Sequence, residues 1–216
     1  MDTFLQAWDY AVSNPERLGS AFMRHIILVA VPLAIGVTLG LPLGFWSARS
    51  RFASTVLING FNALRVIPSL AVLFLAIPYF GLSFQSAAIA LTLLVMPPIL
   101  ISTDVAFRGI DANIREAAVG MGMSNREILQ IIEVPLALPI IIAGIKTAAI
   151  EVIASATLAA FIGAGGLGDF IVLGFALYDP SVLLVGAIPI ALLALLAEIA
   201  LSGLQRSIQP AAAAQS

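Results

Sequence analysis

The sequence has no cysteine, one histidine, and charged side chains at only 10% of its 216 positions. Without cysteine there are no disulfides, thiolate metal sites or thiol nucleophiles. With His25 as the single histidine, most zinc constellations are removed, as is a Ser-His pair with a second histidine in reserve. Catalysis by this chain is not expected. Soluble domains carry roughly one quarter charged residues; here alanine, valine, isoleucine, leucine and aromatics take their place, giving a mean hydropathy of +1.08. This is the composition of a polytopic, all-α membrane protein. The formal net charge of −2 supplies no basic stripe to neutralise phosphates, which argues against a nucleic-acid partner. The opening MDTFLQAWDYAVSNPERLG lacks the basic start and short apolar core of a cleavable signal peptide. With Phe4, Leu5, Trp8 and Val12 on one side and Asp2, Asp9 and Glu16 elsewhere, residues 1–22 read as an extracytoplasmic amphipathic interfacial segment, or else as a frayed terminus.

A hydrocarbon core about 30 Å thick takes roughly 20 apolar residues in a helix. Five stretches are long enough, at approximately 26–46, 56–78, 86–107, 140–161 and 182–204, within a membrane domain expected over 23–208. Arg49 and Arg51 lie in the first connection, Arg108, Arg115 and Arg126 in the third, and Arg206 after the last span. The second connection has no charge and the fourth only Asp169 and Asp179. The positive-inside rule therefore places the odd connections and the C-terminus in the cytoplasm and the N-terminus outside; Arg17 and Arg24 dissent, but share their segment with three acids. The tail over 209–216 is low in complexity and reads as disordered.

The one polar stretch between long apolar runs is EAAVGMGMSNREILQIIEVP at 116–135. Asp111 or Asn113 can cap a first short helix, with Glu116 in its opening turn. Gly120 and Gly122 then release the chain. The spacing from Ser124 to Glu127 is that of a capping box and starts a second helix, which Pro135 ends or leads into the next one. This compact element is expected to expose Ala117, Ala118 and Met121 at a small surface close to the backbone, suited to docking; a plain solvated helical hairpin is the alternative.

Within the spans, Gly36, Gly40, Pro42 and Gly44 form small faces that favour close helix approach, since lipid gives helices no hydrophobic reason to associate. Asn59, Asn62 and Arg65 precede Pro68 on about one face. Arg65 is costly near the membrane unless it snorkels, pairs or lines water, so it is either an interfacial residue or a pathway residue, with Asn62 beside it. Asp104 and Lys146 lie near inner span ends and reach headgroups or each other. Glu151 lies deeper and is the best single intramembrane candidate, against a structural interhelix hydrogen bond. The run GAGGLG at 163–168 formally fits a phosphate-cradling pattern, but it follows an apolar helix and not a strand; helix termination followed by a flexible outer loop accounts for it. The aromatics Phe45, Trp46, Tyr79, Phe80, Phe161, Phe170, Phe175 and Tyr178 cluster near span ends as an interfacial belt.

The spacing of Glu116, Ala117, Ala118, Gly122, Ile132 and Pro135 resembles the cytoplasmic signature of importer permeases of the ATP-binding cassette class, with Val134 where that family more often has leucine. Beyond this motif, His25, PLG at 42–44, IPSL at 67–70, GMGM at 120–123, EVPLALP at 133–139, AGI at 143–145, ATLAA at 156–160 and the glycine run at 163–168 are similar to the permeases of osmoprotectant importers. An Asn-Thr pair and a tyrosine usual in that family are replaced around Ser102, Thr103, Asp104 and Phe107, which weakens transfer of the exact substrate. Methionine importer permeases share the compact five-span plan and are the nearest alternative. The resemblance implies a multi-pass subunit of the bacterial inner membrane that carries glycine betaine, carnitine, choline or a similar quaternary amine. It implies a cytoplasmic ATPase partner that binds the ATP and magnesium, an extracytoplasmic binding protein, and no cofactor in this chain. Residues 108–135 would be the coupling loop, with Glu116, Ala117, Ala118, Gly120, Gly122, Ser124, Ile132 and Pro135 against the ATPase. Five helices are few for enclosing a solute path, so a second permease chain, identical or related, is expected. A passive osmotically gated channel or a purely structural subunit would share the scarce charge but leaves the cytoplasmic motif without a reason.

Overall fold

The computed structural model describes residues 2–208, which are helical apart from short connections. Helix α1 (Asp2–Ser13) leads into α2 (Pro15–Arg49), then α3 (Arg51–Val66), α4 (Ser69–Phe80) and α5 (Phe84–Arg108). Helices α6 (Ala112–Gly120) and α7 (Asn125–Glu127) follow. A π-helical turn at Ile128–Glu133 joins α7 to α8 (Val134–Ala156), which runs on through a 3-10 segment at Thr157–Ile162. Helices α9 (Gly168–Leu177) and α10 (Pro180–Ile208) complete the fold. In lipid a chain must satisfy its own backbone groups, and continuous helix does so. The terminal groups are closed by side chains where the chain turns: Ser50 accepts from the Ala53 amide at 3.3 Å to start α3, and Ser83 accepts from the Ser86 amide at 3.3 Å to start α5.

Helix α5 is the centre of the bundle, between α2 on one side and α8 on the other, and it is the most buried of the spans. Gly36, Gly40 and Gly44 of α2 recur at the four-residue helical spacing and meet Val95, Ile99 and Thr103 of α5. A Cβ on Gly44 would lie 2.7 Å from the Leu100 carbonyl oxygen, so the two backbones are closer there than any side chain allows. Ser47, the next residue on that stripe, donates its hydroxyl to Asp104 at 2.7 Å. Pro42 is exposed and stands off this face, contrary to its grouping with the glycines. From α8, Gly144 approaches α5 in the same way, against Ser102 and the Pro98 carbonyl.

Four of the five expected spans are single long helices; the second is not. Helices α3 and α4 meet at an angle of 100° across Ile67 and Pro68. Proline cannot donate to the preceding turn, and it drives the residue before it into extended backbone, as Ile67 shows with φ −76° and ψ 126°. The hydropathy profile sees one apolar run because both halves are apolar. The first span is also longer than expected: α2 crosses residues 22 and 23 without a break, so the amphipathic segment is α1 plus the first turns of α2. Phe4, Leu5, Trp8 and Val12 are exposed along α1, whose Ala7 is buried in a cluster with Ala21, Leu167, Phe170 and Val185.

The glycine run at 163–168 is not a flexible loop. Ala164, Gly166, Leu167 and Gly168 are buried, and the Arg24 guanidinium donates to the Ala164 carbonyl at 2.9 Å. Gly166 has φ +100°, and a Cβ there would press on His25. Arg24 also lies over the Phe84 ring and Arg17 over Phe170, which gives the two arginines that dissent from the charge rule a structural role at this end of the bundle. Phe170 is thus core and not interfacial, and Phe45 stacks edge-on against Phe107; the other six aromatics of the expected belt are exposed. Residues 209–216, read as a disordered tail, lie outside the described residues.

The close approach of α2 to α5 predicts an order of sensitivity. At Gly36 the added methyl meets a Val95 side-chain methyl that can rotate, whereas at Gly44 it meets backbone. Gly44→Ala should therefore destabilise the purified protein by about 2 kcal/mol and Gly36→Ala by clearly less; thermal unfolding in one detergent that ranks them the other way would contradict the packing.

Candidate functional site

The polar element over 108–135 is built by local capping. Asp111 accepts from the Asn113 amide at 2.9 Å and starts α6. That helix ends in a Schellman arrangement, the Met123 amide donating to the Ala118 carbonyl at 3.1 Å and the Gly122 amide to the Val119 carbonyl at 2.9 Å. Such an ending needs one residue in the left-handed region, and Gly122 supplies it at φ +82°. Gly120 is still helical, and a Cβ on it would meet nothing within 4 Å, so only one of the two expected glycine hinges is a hinge. Ser124 and Glu127 form the capping box in both directions. The Ser124 amide and hydroxyl, both donated to the Glu127 carboxylate at 2.8 and 2.7 Å, hold its pKa below the usual glutamate value. The box is therefore complete above the ordinary glutamate range and is lost as pH falls through the lowered value.

The second helix does not end at Pro135. From Asn125 to Ile162 the chain is one helical rod of 38 residues, with Pro135 at the start of α8. A proline at 135 leaves the carbonyl four residues earlier without its donor, and the wider π-helical turn at Ile128–Glu133 lies where the ladder must accommodate that loss. The surface presented by the element also differs from expectation. Glu116, Ala117 and Met121 are exposed, but Ala118 is wholly buried under the element, and Ile132 is half-buried.

What fastens the element to the spans is Glu133, whose side chain is 2% exposed. Its two carboxylate oxygens accept from Arg49, the last residue of α2, and from Arg115 in α6. Arg49 also lies over the Phe45 ring, 5.0 Å from its centroid. Arg49, Arg108, Arg115 and Glu116 line an open cavity of about 360 Å³ at this junction. Sequence reading met Glu133 only within the polar stretch at 116–135 and the EVPLALP run at 133–139 and did not pair it, because its partners lie 84 and 18 residues away; two arginines flanking one acid in neighbouring connections was the available signal.

The intramembrane candidates sort differently. Asp104 accepts from Arg108 at 2.8 Å and from Ser47, while Lys146 reaches Glu198 and Ser202 of α10, each at 3.1 Å. The expected contact between Asp104 and Lys146 is absent, and both groups hold helices together. Arg65 and Glu151 instead line one cavity of about 290 Å³ with Pro68, Ser69, Leu94 and Ser155. It opens beside the α3/α4 break and at the middle of α5, so Arg65 is away from the span ends. Asn62 is exposed and does not line it.

Apolar spans beside a half-open charged cavity, with a polar element fastened to one end, are arranged as in the membrane component of a transport system. Residues 40–213 match the family described as binding-protein-dependent transport system inner membrane component, and the chain belongs to that family. It is 40% identical over 189 residues to the carnitine transport permease protein OpuCB of Listeria monocytogenes, covering 88% of this chain and 87% of that one. It is 37% identical over 210 residues to the glycine betaine/carnitine/choline transport system permease protein OpuCB of Bacillus subtilis, covering 97% and 94%. The osmoprotectant import permease protein OsmW of Salmonella typhimurium is 34% identical over 206 residues, covering 93% and 96%. Among solved structures, an inward-facing form of the MetNI methionine ABC transporter shares the fold, with a TM-score of 0.78 at 22% identity over 91% of this chain and 99% of that one. The expected importer-permease fold is thereby established.

A carboxylate shared by two arginines predicts non-additivity. Glu133→Ala should destabilise the chain by about 3 kcal/mol, moderated because both arginines retain contact with water. Arg49→Ala or Arg115→Ala alone leaves Glu133 paired, so the double variant should lose more than the sum of the singles. Simple additivity in thermal unfolding would show that the three side chains do not act as a unit.

Proposed function

We infer that the chain is the membrane-spanning subunit of an ATP-driven importer for a quaternary-amine osmoprotectant such as glycine betaine, carnitine or choline. The observation that carries this reading is the nearly full-length similarity, at 34–40% identity, to permeases whose names give those solutes. The methionine alternative draws on a likeness of fold at 22% identity, which speaks to architecture and not to solute.

On this reading ATP and magnesium are bound by a separate cytoplasmic ATPase, an extracytoplasmic binding protein delivers the solute, and a second permease chain completes the pathway. The end of the bundle that carries Glu133 faces the cytoplasm and α1 lies at the opposite surface. The element over 108–135 docks on the ATPase through the exposed Glu116, Ala117, Gly120 and Gly122, with Ser124 fixing the start of its second helix. Ala118 and Ile132 then act from within, by shaping the element, and the exposed Pro135 by setting its union with α8. ATP-driven closure of two ATPase subunits moves two such elements as rigid bodies, and the attached spans shift between inward and outward openings.

Two experiments test this. Proteoliposomes holding the chain, its ATPase and its binding protein should accumulate labelled glycine betaine only with ATP; accumulation of methionine in its place would overturn the solute. The glycines separate the docking role from folding. Gly122→Ala should weaken the element itself, because of the left-handed backbone at that residue. Gly120→Ala should leave the isolated chain as stable or slightly more stable. If its assembled complex nevertheless loses coupled ATPase activity, the partner approaches the backbone at Gly120; full coupling there would move the docking face elsewhere.

A further inference from the structure

The cavity at the α3/α4 break has a chemical bias of its own. Arg65 and Glu151 are the only charged residues that line it, and Ser69 and Ser155 the only hydroxyls. Among the described residues neither charged side chain is in an ion pair, although all four ion pairs found elsewhere bind their charges closely. A lone carboxylate and a lone guanidinium at the depth of the middle of a span are expensive unless something completes them. Here they stand on different walls: Arg65 lies in the last turn of α3, and Glu151 on α8. The cavity, at about 290 Å³, is at the lower limit of small-molecule sites, and Pro68 leaves the first amides of α4 without a side-chain cap beside it.

We propose that this cavity is a transient site for a small zwitterion, Glu151 facing its cationic head and Arg65 its carboxylate, so that the permease itself favours carboxylate-bearing amines over bare cations. The inference rests on the importer reading above. A solute carrying both charges satisfies both walls at once. A cation such as choline satisfies Glu151 and leaves Arg65 both unpaired and repelled. The site is half-open and Arg65 is exposed, so the hold is weak, as a solute in transit requires. Discrimination is then set in two places, first by the binding protein and again by Arg65.

The test uses the complete complex in proteoliposomes, with the binding protein saturated by each solute so that its own affinities cancel. Wild-type complex that carries neither glycine betaine nor choline would defeat the importer reading and this inference with it. Given uptake, Arg65→Gln should raise the choline-to-betaine rate ratio about tenfold, the worth of one charge-assisted hydrogen bond, chiefly through slower betaine. Arg65→Lys should remain within about twofold of wild type. An unchanged ratio in Arg65→Gln overturns the proposal, and so does an equal loss of both solutes with ATPase activity intact, which would make Arg65 a gating or structural residue. Should Arg65→Gln fail to assemble, the wild-type complex decides the matter: the methyl ester of glycine betaine, which lacks the carboxylate charge, should enter about tenfold more slowly than glycine betaine, and equal rates would refute the assignment.

Discussion

Glu133 is the point at which the polar element and the membrane bundle become one body. A carboxylate that is 2% exposed is tolerable only because Arg49 and Arg115 divide it between them. Arg49 terminates α2 and Arg115 belongs to α6, so a single acid ties the first span, the polar element and the helix that becomes α8. Both arginines keep access to water, which limits the desolvation they suffer. Around this junction the fold follows the rule for lipid, where helices adhere by close approach and not by hydrophobic exclusion: glycines of α2 and α8 press on α5 from either side.

The local features of the site were legible in the sequence because they depend on near neighbours. Ser124 and Glu127 form the capping box their spacing specifies, and Gly122 takes the left-handed turn that ends α6. What was not legible depends on distant contacts. Ala118 looked like surface and is buried because α6 packs against the π-helical turn at Ile128–Glu133. Gly163 to Gly168 looked like a mobile turn and is held by Arg24 and packed on His25; nothing in a glycine run indicates which helix will cover it.

The second span shows the limit from another side. Hydropathy averages over a window and has no term for direction, so residues 56–78 read as one crossing, although Pro68 turns the chain through 100°. That turn brings Arg65 to the same cavity as Glu151. The two had been chosen separately, each for being ionisable at depth, and no sequence argument joined them, since they are 86 residues apart with four other α-helices between them.

The rod from Asn125 to Ile162 meets α5 near its midpoint, where Gly144 lies on Pro98 and Ser102. At about 1.5 Å per residue each arm is roughly 28 Å long. Pivoting at that contact, such a rod would behave as a see-saw with equal arms, the Glu133 junction carrying the end of α2 and the polar element with it. A displacement imposed at the π-helical end reappears at the glycine-rich end undiminished and reversed in sense, while Glu151, only about 10 Å from the fulcrum, travels little more than a third as far. The charged cavity would thus shift much less than either face of the bundle.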